Sequence, residues 1–168
     1  MDNKIDKLLL LTAFSCMACD GEIAKEEILL IRGIALVDKL FGDVDIDSEL
    51  DRMTAEINEK GKNFLSDYLS QLSSSDLSKE DEISILKVAV RMIKADNKIE
   101  YSEIKFFKLI RSFMRHLTDN AILEVIPGID ENFLASDINP GCTNLSDDYF
   151  NTILIPKFNQ ISELSKDK

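Results

Sequence analysis

The sequence predicts an all-α, single-domain bundle of about six to eight helices, and three observations carry that prediction. Apolar residues recur at three- and four-residue intervals through the first two thirds of the chain, and no stretch before residue 128 pairs strand alternation with turn signals. Glycine (6) and proline (3) are scarce among 168 residues, which disfavours a turn-rich β-sandwich or barrel. A ten-residue pattern also occurs twice, each time between two apolar helical stretches. A chain of this length buries about 70% of its unfolded surface, so it needs neither metal nor disulfide simply to fold.

The elements follow in order. A first helix over about 3–19 carries Ile5, Leu8, Leu9, Phe14, Cys16 and Met17, with little polar surface in its second half, which predicts a central packing role. A second, about 25–41, presents Ile28, Ile31, Ile34, Ala35 and Leu36 before Gly42 stops it. Asp47 is the expected N-cap of a third helix, where Leu50, Met53 and Ile57 repeat until Gly61. A fourth, about 62–73, carries Phe64, Leu65, Tyr68, Leu69 and Leu72. Ser78 with Asp81 forms a capping pattern for a fifth, about 79–95. A sixth runs over about 101–117 through Ile104, Phe106, Phe107, Ile110, Phe113 and Met114, and a short seventh ends before Pro127-Gly128. Residues 1–118 therefore read as the helical domain. Residues 119–168 read as an extension packed on it, since Phe133, Leu134, Phe150, Ile153, Leu154 and Phe158 are too apolar for a free tail. A turn is expected at Asn139-Pro140-Gly141, and a last helix around 146–164 interrupted at Pro156.

Composition narrows the function. Apolar residues make up 45% and charged residues 30%, a globular mixture rather than a disordered one. The net charge of −11 argues against nucleic acid or an anionic lipid surface as a partner. Three cysteines cannot close a disulfide set and suit a reducing compartment. The start, Met1-Asp2-Asn3-Lys4-Ile5, lacks the basic region of a secretory signal, and the apolar run Leu8 to Cys19 is too short to span a bilayer. A cytoplasmic protein without membrane insertion is expected.

The most informative feature is the duplication. Cys19-Asp20-Gly21-Glu22-Ile23-Ala24-Lys25-Glu26-Glu27-Ile28 aligns, 76 residues on, with Ala95-Asp96-Asn97-Lys98-Ile99-Glu100-Tyr101-Ser102-Glu103-Ile104. Both are D-x-x-I-x-x-x-E-I. Gly21 and Asn97 suit the left-handed residue that ends a helix. Ile23 with Ile28, and Ile99 with Ile104, occupy hydrophobic-staple positions, and Glu27 and Glu103 fall at N3, where a carboxylate bonds the N-cap amide and favours the helix dipole. Residues 5–41 and 79–117 should therefore form two pseudo-symmetric helical hairpins around a shared core that includes Leu9, Ile31, Ala89 and Ile110.

The helix–"A-C-D-G-E-I-x-x-x-E"–helix and helix–"K-A-D-N-K-I-x-x-x-E"–helix units resemble the TerB-like domains of tellurite-resistance and related stress proteins, also found in a DnaJ-like membrane co-chaperone family. The resemblance covers about residues 5–117. It implies an all-helical domain with pseudo-two-fold halves and an acidic surface that binds a divalent metal or a protein partner, with no enzymatic activity.

Candidate sites follow from the acids. Asp20, Glu27, Asp96 and Glu103 would meet at one pole across the pseudo-axis and take a hard divalent ion such as Ca²⁺, Mg²⁺ or Mn²⁺. The simpler reading makes the two glutamates caps and the two aspartates helix terminators. An ordinary EF-hand is excluded, because Cys16 and Ala18, and then Met92 and Lys94, stand at loop positions 1 and 3. Asp43, Asp45 and Asp47 do match positions 1, 3 and 5 of a calcium loop, but Ser48 and Thr54 replace its glycine and glutamate. A solvated acidic loop is the plainer expectation there.

The remaining constellations have structural readings. Cys16-Met17-Ala18-Cys19 lacks the second ligand pair of a zinc site, so packed thiols are expected. His116 follows Arg115 where a cation suits a helix C-terminus, with no catalytic partner evident. Lys108, Arg111 and Arg115 share one face of the sixth helix and form a candidate basic stripe for an acidic partner or a second copy. The expected function is a non-enzymatic TerB-like interaction domain of a stress response. The competing expectations are a metal-dependent enzyme using clustered carboxylates, which would need them convergent in a pocket, and a structural homodimer subunit.

Overall fold

Helix α1 (Asn3–Ala18) is the least polar segment of the chain, and its second half has no solvent-facing side. From Leu8 to Cys19 only Leu11 is not fully buried, and even Thr12 and Ser15 are enclosed. Such a helix must be surrounded on all sides. In the computed structural model, which describes residues 3–19, 21, 23, 25–42, 45–95, 101–126, 129, 155 and 158, α1 packs most extensively on α5 (Lys79–Ile93). It also meets α4 (Lys62–Ser74) and α6 (Tyr101–Ser112). The remaining helices are α2 (Lys25–Gly33), α3 (Ile46–Lys60) and α7 (Asp119–Val125). No strand occurs among the described residues, and no helix there is long and apolar enough to cross a membrane.

The duplication is a structural repeat. α1 and α5 begin at residues 3 and 79, and α2 and α6 at 25 and 101, both 76 apart. Burial follows the same register: Leu9 and Ile85, Ala13 and Ala89, Cys16 and Met92, Ile31 and Phe107, and Ile34 and Ile110 are all buried. α1 touches α6 and α2 touches α5, and a two-fold that exchanges the hairpins would exchange those two contacts. Leu9, Ile31, Ala89 and Ile110 lie in one core, as expected. The α3–α4 hairpin closes a flank through α4, where Phe64 meets Phe14 edge to face at 5.4 Å.

Several boundaries differ from the sequence expectation. The second helix stays α-helical only to Gly33 and then widens into a π turn (Ile34–Asp38), closed by the Lys39 N–H donating to the Ile34 carbonyl at 2.9 Å. The widening turns Leu36 and Val37 off the inward stripe and into solvent. The N-cap of α3 is Asp45 rather than Asp47: Asp45 accepts from the Ser48 N–H at 3.4 Å and the Ser48 hydroxyl at 2.9 Å. The expected capping box of α5 is present, with Ser78 and Asp81 bonded reciprocally. α6 ends at Ser112, five residues early, so Arg115 and His116 lie in a loop and not on a helix.

That loop is held by a buried acid. Glu82, in the first turns of α5, accepts from the backbone N–H groups of Arg115 at 3.0 Å and His116 at 2.9 Å, and from the His116 ring at Nδ1, 2.7 Å away. Its repeat counterpart is Asp6, at the same place in α1. Gly42 lies against Asp6 with φ +73°, and a Cβ there would stand 2.9 Å from Asp6 Oδ2. Each hairpin thus sets an acid near the start of its first helix against the segment that leaves its second.

Past the bundle, Ile122 and Ile126 belong to the same core, and Ile129, Ile155 and Phe158 pack on it. The Asn58 side chain on α3 pairs with the Phe158 backbone, donating to its carbonyl at 2.8 Å and accepting from its N–H at 2.7 Å. The expected turn at 139–141 and the rest of the expected helix around 146–164 fall outside the described residues.

Burial pushes the Glu82 carboxyl up. The His116 ring and the two backbone donors more than offset this and hold it below its ordinary value. The stability it contributes is therefore complete above the ordinary glutamate range and fades as pH falls through the lower folded value. Glu82→Ala, which leaves two inward-facing N–H groups without an acceptor, should cost about 2–3 kcal/mol at neutral pH and flatten the acid limb of the stability–pH curve. Urea titrations of both proteins from neutral to acid pH check this; unchanged midpoints would contradict it.

Candidate functional site

The end of α1 and the starts of α2 and α6 build one pole of the bundle. Gly21, in left-handed backbone at φ +83°, ends α1, and its N–H donates to the Ala18 carbonyl at 3.0 Å. After the turn, Glu27 sits in the first turn of α2 and Glu103 in the first turn of α6. Both are nearly inaccessible, 4% and 3% exposed, although the cap reading requires no burial. Both act on the same group, the Cys16 thiol. Burial raises the Cys16 pKa well above its ordinary value, and the negative charges of Glu103 and then Glu27 raise it further. The repeat glutamates thus stand buried at equivalent positions of the two hairpins.

The surroundings of Cys16 are those of an inert thiol. Cys19 Sγ donates to the Cys16 carbonyl at 3.1 Å, so the C-x-x-C pair is packed within the core. The buried Tyr68 hydroxyl lies 2.7 Å from Thr12 Oγ1, which itself donates to the Leu8 carbonyl at 2.8 Å; Tyr68 is therefore the donor. Burial raises the Tyr68 pKa well above its ordinary value.

His116 cannot serve this pole. Its carboxylate partner, which the sequence did not reveal, is Glu82 near the other end of α5, about 16 Å along the helix from Ile93.

The other candidates disperse. Asp45 caps α3, and Asp47 pairs with Arg32 on α2 at 2.8 Å, so these two acids of the calcium-like stretch serve different partners. Asp20, Asp43 and Asp96 fall outside the described residues. The basic stripe also dissolves. Lys108 is 9% exposed, Arg111 pairs with Asp119 at 2.8 Å, and Arg115 donates to the Ser73 carbonyl at 2.9 Å from beyond the helix end. In a cleft of ≈ 500 Å³ between α1 and α3, Glu49 and Glu56 flank Arg52 at 2.9 and 3.8 Å, so its acids are engaged by a cation of the chain. Among the described residues, no group of three or more His, Cys, Asp or Glu side chains is placed to hold a metal ion.

The chain matches no protein-family model, no curated protein and no solved structure.

With Cys19 and Cys142 replaced by serine, Cys16 should resist iodoacetamide in the native state at mildly alkaline pH and react only on unfolding. Mass spectrometry of timed quenches reads this directly. Rapid native alkylation would contradict the thiol's enclosure.

Proposed function

We propose that the chain is a non-enzymatic, TerB-like helical interaction module of a cytoplasmic stress response, whose acidic pole holds a divalent cation weakly and engages a protein partner. The observation that carries this reading is that Glu27 and Glu103, equivalent in the repeat, are both buried in the first turn of the second helix of their hairpin. Hard oxygen ligands suit Ca²⁺, Mg²⁺ or Mn²⁺. In this reading Asp20 and Asp96, from the two D-x-x-I connections, complete the ligand set. The helix bounds, 76 residues apart in both hairpins, support the repeat, and the stress role rests on the resemblance of its sequence to the TerB-like pattern.

With few protein ligands and partial hydration, the affinity is about 10⁻⁴ M or weaker. At about 10 mM ion the linked stabilisation is then below about 3 kcal/mol, within reach of thermal melts. Ca²⁺, Mg²⁺ and Mn²⁺ are compared at matched ionic strength in the wild type and in an Asp20→Asn/Asp96→Asn variant. The reading expects an ion-selective rise in Tm that the variant loses. Equal shifts for every divalent ion, retained in the variant, would be charge screening and would refute the cation site.

A further inference from the structure

We propose that the seat around Asn58 on α3 is a polypeptide-binding site, held closed by the chain's own segment at Ile155 and Phe158, which a partner segment of the same chemistry displaces. The Asn58 carboxamide makes two bonds to the main chain of one residue, 100 positions away. Its Nδ2 donates to the Phe158 carbonyl at 2.8 Å, and its Oδ1 accepts from the Phe158 N–H at 2.7 Å. A neighbouring antiparallel strand would give the same paired contact, supplied here by one side chain of a helix. Ile155 and Phe158, three residues apart, add apolar contact, since both pack on the core. Neither lies in a helix, and Pro156, which follows Ile155, disfavours helical backbone there.

The clamp selects the occupant by class. An N–H and a C=O on one residue, both turned outward, belong to a polypeptide and to no lipid, phosphate or metal ion. A helical partner has spent those groups on its own ladder. The occupant is therefore non-helical at the clamped residue, with apolar side chains there and three residues before. The chain's own segment meets these conditions but holds the seat lightly. Ile155 and Phe158 are only partly buried, whereas Leu9, Phe14 and Met17 of α1 are enclosed. Segments with few buried contacts open at free energies well below that of global unfolding. A tethered segment competes at high effective concentration, so it shuts the seat to weak partners and yields to stronger ones. The site uses neither Glu27 nor Glu103 and stands or falls apart from the acidic pole.

A fluorescein-labelled peptide spanning residues 151–162 is titrated into the intact chain and into Ile155→Asp/Phe158→Asp, whose own segment lacks its apolar anchors, and binding is read by anisotropy. The double variant should bind the peptide about tenfold or more tighter than the wild type. Adding Asn58→Asp, which keeps an acceptor and loses the donor, should weaken that binding about tenfold. N-methylation of the peptide at Phe158, which removes the N–H that Oδ1 accepts, should do the same. Equal binding to wild type and double variant, no binding to a folded double variant, or indifference to Asn58→Asp and N-methylation would overturn the proposal. So would a wild-type dimer in sedimentation that the double variant dissociates, which would assign the seat to a second copy's segment. If the double variant does not fold, hydrogen exchange of the wild type decides. The Phe158 amide should exchange through an opening about tenfold or more frequent than the one that releases the α1 and α5 amides. Its exchange only on global unfolding would overturn displacement.

Discussion

The packing of α1 on α5 is the constraint from which the rest of the bundle follows. Each buried Leu, Ile, Phe or Met side chain in that contact is worth about 1.5–3 kcal/mol, and α1 carries them on every side of its second half. Because α5 repeats α1, the two act as equivalent supports, and the second helix of each hairpin lies across the first helix of the other. α4 then covers the flank that neither hairpin reaches, placing Phe64 against Phe14 and Tyr68 beside Thr12. Removing either central helix would leave the other with an apolar surface that nothing else in the described chain could cover.

The polar groups inside this packing divide the molecule into two different ends. At one end Glu82 is enclosed, yet three donors converge on it and their attraction exceeds the cost of burial, so the carboxylate fastens the loop after α6. At the other end burial and two negative charges act on Cys16 in the same direction, and the thiol stays protonated. The first arrangement resolves its electrostatics within the protein. The second holds the two buried repeat glutamates, and the proposed cation site is placed there and not beside His116.

Much of the architecture was legible because it rests on local signals and on a repeat. Gly21, the Ser78–Asp81 box and the inward spacing of Leu50, Met53 and Ile57 each declare themselves within a few residues. The equivalent, buried positions of Glu27 and Glu103 followed from the symmetry of the duplication. What escaped the sequence depends on groups distant along the chain. The early end of α6 is tied to Glu82, more than 30 residues upstream, and helical periodicity through Phe113 and Met114 masks it. The repeat did hold a clue, since Asp6 and Glu82 are acids in the same register. The π turn has no such signal, for Leu36 reads as an ordinary apolar residue of the second helix at α-helical spacing. Asp45 and Asp47 are both acceptable caps locally, and Arg32 on another helix decides between them by engaging Asp47.

The central claim is that the repeat folds two glutamates onto one buried pole. A double-mutant cycle of Glu27→Gln and Glu103→Gln, measured by urea unfolding at neutral pH with divalent ions chelated, tests it most directly. Neighbouring like charges require the two single effects to differ from the double effect by about 0.5–3 kcal/mol, because removing either charge relieves the other. Strict additivity, within about 0.5 kcal/mol, would place the glutamates apart and contradict the shared pole.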